Sequence, residues 1–210
     1  MKNNKDYQKE AIDHFRLSII DAKLAYTLFK SLYLSRSEEI VGKNLFDKYF
    51  WVQKQHNIFK LIEHNAIEVF VIKILHGFDN DNQALTLKDI DKNAYIKFIE
   101  SEENKKVIDK IKILRKKSIA HFDKKQPTDK SLPTFEELDL FFKRLEKFYD
   151  TLTKKLADST TIREQDQDLK NNLEKVMQNL YVGEKVRLLG IDIKWMWDED
   201  LKRISKNEKC

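Results

Sequence analysis

Ile12, Phe15, Ile19, Ala22, Tyr26, Phe29 and Tyr33 recur at alternating steps of three and four residues. That is the apolar stripe of a helix packed along one side, and it predicts a first helix from about Asp6 to Leu34. SRSEEIVGKN follows as a connection punctuated by Gly42, and a second long helix is predicted from about Leu45 to Leu75, stopped by Gly77 and FDNDNQ. TLKDIDKNAYIKFIE predicts one or two short helices that cross between the long ones. Val107, Ile111, Leu114, Ser118 and His121 form a third stripe, on a helix from about Glu103 to His121 that ends before DKKQPTDKSLP, where both prolines lie. Thr134 with Glu137 three residues on forms a capping box, and Leu138, Phe141, Leu145, Phe148 and Leu152 continue it as a fourth helix. A fifth helix, capped by Ser159 or Thr160, runs to about Val182–Gly183, ahead of the tail GIDIKWMWDEDLKRISKNEKC.

This order predicts an all-α fold: a four-helix up-and-down bundle with short inserted helices and a helical C-terminal extension. The bundle is assigned to residues 1–158 and the extension to 159–210, packed on the same domain. Composition agrees, because 4 Gly and 2 Pro are too few for a fold of many strands and tight turns. The net charge of +5 permits RNA, DNA or an anionic membrane as partner without demanding one. The charges are mixed along the chain, so a solvated helix surface accounts for most of them. The lone cysteine, Cys210, allows no disulfide within one chain, which fits a reducing compartment. AIEVFVIKIL at 66–75 is too short to span a bilayer and carries Lys73. A cytoplasmic protein without a membrane partner is expected.

Several constellations fail on their own chemistry. DNDNQALTLKDI starts like a calcium loop, with Asp79 and Asp81 alternating, but Ala84 stands where the turn needs Gly and Ile90 where the bidentate Glu belongs. Glu63, His64 and Glu68, like Glu10 and His14, read as surface ion pairs, since a di-metal bundle needs Glu-x-x-His on two helices. Trp195 and Trp197 read as anchors of the tail. No cofactor and no metal are expected.

The chemistry concentrates in ILRKKSIAHFDK at 113–124. On a regular helix Arg115 and His121 stand about 9 Å apart along the axis and about 120° apart around it. They share a broad face without stacking. One helix cannot clamp a small group between them without the reach of the arginine, a frayed end or a second copy. A histidine can move a proton near neutrality, and an arginine can hold a phosphate and its developing charge. Together they suit cleavage of RNA, which brings its own nucleophile in the 2′-hydroxyl. The spacing equally fits a histidine capping carbonyls and an arginine paired with an acidic neighbour.

RKKSIAHFD resembles the R-x(4–6)-H signature of the HEPN superfamily, and its Ala-His-x-Asp ending resembles the abortive-infection branch of the AbiU type. The resemblance covers residues 8–157. It implies a homodimer whose paired motif segments form a shared, metal-independent ribonuclease site, in a toxin or phage-defence effector. Arg115 would bind the scissile phosphate and His121 would act as general acid and base. Lys116, Lys117, Ser118, Lys124 and Lys125 are the candidate RNA contacts. A partner antitoxin or regulatory protein fits the same picture. Two positions depart from the pattern: Lys116 replaces the usual Asn, Asp or His, and Asp123 replaces the tyrosine of the branch that is paired with nucleotidyltransferase antitoxins. The rival readings are a non-catalytic HEPN module binding RNA, a nucleotide or a protein, and a purely structural dimerisation domain.

Overall fold

Every described residue of regular structure is helical, as the periodicities require. The computed structural model describes residues 4–78, 87–116, 131–155 and 166–188. In chain order the helices are α1 (Asn4–Leu34), α2 (Glu38–Val41), α3 (Lys43–Gln55), α4 (Ile58–Gly77) and α5 (Leu87–Ile90). They continue with α6 (Lys92–Glu100), α7 (Glu102–Leu114), α8 (Phe135–Lys155) and α9 (Asp166–Leu188). The chain divides into two compact units. One comprises residues 1–33 and 58–170, the other 34–57 and 171–210.

In the first unit α1, α4, α7 and α8 are the four long helices of the bundle, with α5 and α6 as the short inserts. The stripe on α1 is buried through Ile12, Phe15, Ile19, Ala22 and Tyr26. From α8 it meets Leu138, Phe141, Leu145 and Leu152, all buried, and α7 contributes Val107, Ile108, Ile111 and Leu114. Burial of each large apolar side chain stabilises the fold by roughly 1.5–3 kcal/mol, so these stripes set which faces meet. Aromatic rings fill the gaps between helices. Tyr26 stacks on Phe142 at 5.3 Å, and Phe78 lies parallel to Phe98 at 5.9 Å.

Polar side chains fix the register of the helices. The Tyr26 hydroxyl reaches from α1 to α8, 2.8 Å from Asp139 Oδ1 and 3.0 Å from the Phe135 carbonyl. Burial first, and the bond to Asp139 second, push this phenol above its ordinary range. Lys73 on α4 binds Asp21 on α1 at 2.8 Å. Asp91 caps α6 by accepting from the Ala94 N–H at 2.9 Å.

In the second unit α3 faces α9 through Trp51, whose ring meets that of Tyr181 edge-on at 5.8 Å. Gln53 donates to Ser35 Oγ at 2.5 Å and accepts from Arg36 Nε at 2.6 Å. Gly42, with φ 78 and ψ 153, adopts a backbone open in practice to glycine alone and separates α2 from α3.

The predicted second helix is two helices. Backbone at His56 is extended (φ −120, ψ 104), and α3 stops before it. The packing shows why: α3 belongs to the second unit and α4 to the first. QHN at 55–57 has middling helix propensity, and asparagine favours the cap position ahead of a helix. The connection 35–44 contains the single turn α2, and α9 runs through Gly183 to Leu188. One glycine costs a helix about 1 kcal/mol, which does not end it. The proposed caps Ser159 and Thr160, the 79–86 part of the rejected calcium loop, and both Trp195 and Trp197 lie outside the described residues. Among the described residues no helix is long and apolar enough to cross a membrane.

Candidate active site

The site is built on α7 and the chain that leaves it. Ser101 precedes the helix, and Glu102 and Glu103 occupy its first turn, where carboxylates suit the positive end of the helix dipole. Asn104, Val107, Ile108, Ile111 and Leu114 are buried, so α7 is clamped along most of its length. Its last turn carries Lys112, followed by Arg115 and Lys116, cations placed at the negative end of the dipole.

The α-helical part of α7 runs to Leu114, and the predicted continuation through Ser118 to His121 lies outside the described residues. Arg115 keeps right-handed helical angles (φ −55, ψ −53), and its N–H is shared between the carbonyls of Ile111 and Lys112. Residues 115–116 widen into a π-type turn. Arg115 and Lys116 are both exposed. Arg115 follows Ile108 by two turns and Ile111 by one, on a stripe that is otherwise interior. The guanidinium thus emerges where the apolar core ends.

Of the residues singled out in the sequence, the structure places Arg115 and Lys116 side by side at this helix end. Lys117, Ser118, His121, Lys124 and Lys125 lie outside the described residues. The start of α8 is fixed by the predicted capping box. The Glu137 N–H donates to Thr134 Oγ1 at 3.1 Å, and the Thr134 N–H donates to Glu137 Oε2 at 3.0 Å.

Two polar clusters that periodicity does not reveal tie α7 to α8. Lys110 binds both oxygens of Glu137 at 2.8 and 2.7 Å, and Lys106 joins at 3.2 Å. Partial burial alone would raise the Glu137 carboxyl. Lys110, the Thr134 N–H and Lys106 outweigh it and hold the pKa at about 2. Further along, Asn104 accepts from Arg144 Nε at 2.7 Å while Glu103 lies 3.2 Å from Arg144 Nη1. The signal available beforehand was Asn104 itself, a polar residue on an apolar stripe. His64 and Glu68 form the expected ion pair at 3.2 Å.

Residues 10–176 match the HEPN family described as AbiU2. The chain belongs to this family. The match runs beyond residue 157, where the sequence resemblance was expected to stop, and takes in the first half of α9. No curated protein and no solved structure gives a significant match. The matched span includes the exposed end of α7 and Arg115.

Proposed function

We propose that this protein is a HEPN endoribonuclease that works as a homodimer, in abortive infection or as a toxin. The observation that carries the reading is Arg115, presented to solvent at the end of a rigidly packed α7 in a chain of the AbiU2 family. An exposed cation on an immobilised helix end costs little to reorganise around a phosphate. Arg115 would hold the scissile phosphate of RNA. His121 would take the proton of the 2′-hydroxyl, whose oxygen attacks phosphorus. The P–O5′ bond then breaks, the 5′ oxygen receives a proton, and a 2′,3′-cyclic phosphate remains. A second copy would supply the side of the site that one helix leaves open. Lys116, Lys117, Lys124 and Lys125 would add sequence-independent attraction for the backbone, with Ser118 beside them. The mechanism asks for no metal and no cofactor, and a cytoplasmic setting suits it. A neighbouring antitoxin or regulatory protein would hold the activity in check.

Lys116 favours one alternative, a HEPN module that binds RNA, a nucleotide or a protein without cutting. It places an exposed ammonium where the motif usually has Asn, Asp or His. Incubation of labelled RNA with the wild type and His121→Ala decides between them. The proposal expects cleavage by the wild type in excess EDTA, loss in the variant, and no cut where the substrate carries a 2′-deoxy sugar. Activity lost in EDTA and restored by magnesium, or unchanged in the variant, would overturn it.

A further inference from the structure

An open groove of about 670 Å³ lies between α6, the first turn of α7 and the middle of α8. Its floor is aromatic, with Phe98 and Phe148 stacked 4.5 Å apart at 22°. Phe98 is buried, and Phe148, in the groove lining, is partly buried. Lys97 stands on the α6 wall, and Arg144 and Lys147 on the α8 wall. The one carboxylate in the lining, Asp91, is engaged in capping α6.

Asn104 explains how the groove is kept in shape. It is 3% exposed, donates to the Phe98 carbonyl at 2.9 Å and accepts from Arg144 Nε at 2.7 Å. A buried amide is costly unless satisfied, and here its two bonds join the aromatic floor to a cation on the rim. Glu103 also lies beside Arg144, but its side chain is 76% exposed, so the pair is weak and open to replacement by a phosphate.

We propose that this groove binds single-stranded RNA, one base against Phe148 and the backbone phosphates along Lys97, Arg144 and Lys147. An aromatic floor between cationic walls is the arrangement that takes up a single strand without regard to sequence. An acidic peptide would use the cations but leave the flat floor unmatched. The choice of RNA rests on the proposed ribonuclease activity; the groove's affinity for a strand does not.

The test is fluorescence anisotropy with a labelled 2′-O-methyl RNA of about ten nucleotides, which cannot be cut. The variant is Lys97→Ala/Lys147→Ala, two exposed side chains whose removal leaves the core intact. Its affinity should fall about tenfold, and the log–log salt slope should drop by about 1.4, from two phosphate contacts at about 0.7 each. No binding by the wild type, or equal affinity and slope in the double variant, would overturn the groove. Binding that survives while cuttable RNA stays intact keeps the groove and rejects the ribonuclease. Cleavage with a double variant that binds unchanged does the reverse.

Discussion

Glu137→Gln separates the two roles that one side chain plays at the start of α8. Glutamine at this position can still accept from the Thr134 N–H, so the capping box survives while the charge facing Lys110 and Lys106 is lost. The carboxyl sits at about 2 in the folded protein against an ordinary 4.5. At 1.36 kcal/mol per pH unit that gap sets a ceiling of about 3.4 kcal/mol. Glu137 is 22% exposed and Lys106 65% exposed, so solvent screening reduces the expected loss to about 1–2 kcal/mol at pH 7. Because the folded value is depressed, this stability is complete above pH 4.5 and is lost as pH falls toward 2. Urea unfolding of wild type and variant should show the full gap at pH 7 and less than half of it at pH 3. Thr134→Ala should cost about 1 kcal/mol at both pH values, since a hydroxyl cap does not titrate here. A Glu137→Gln gap of the same size at pH 7 and pH 3 would refute the charge argument.

Arg115→Ala should change stability by no more than about 0.5 kcal/mol, as an exposed residue, yet lower RNA cleavage by roughly 10²–10³. Loss of fold together with activity, seen by circular dichroism, would make the arginine structural instead. Tyr26→Phe removes the hydroxyl that joins α1 to α8 and should destabilise by about 1–2 kcal/mol in denaturant unfolding; no change would show that Asp139 is fully served by Lys30. Gly42→Ala meets no atom within 4 Å, so its expected cost of about 1–3 kcal/mol is backbone strain alone, and a neutral result would reject that conformation. Light scattering at micromolar protein should report a dimer; monomer alone would count against a site shared between copies.

Local chemistry was legible in the sequence wherever its hydrogen bonds or contacts span only a few residues. The capping box of Thr134 and Glu137 closes over three residues, and the observed bonds follow directly from that spacing. The apolar stripe of α8 and that of α1 from Ile12 to Tyr26 became core, because a one-sided helix has few other ways to bury itself, while Tyr33 at the end of α1 stays exposed. The family was read from a short pattern, and the match over 10–176 shows it.

What the tertiary structure alone decided involves partners far apart in the chain. Lys110 and Glu137 are 27 residues apart, and Asn104 and Arg144 are 40 apart, so no periodicity pairs them. Only the docking of α7 against α8 selects which of many surface charges meet and which one loses its solvation. The same holds for the break at His56, where an unbroken apolar pattern hides a change of packing partners between α3 and α4.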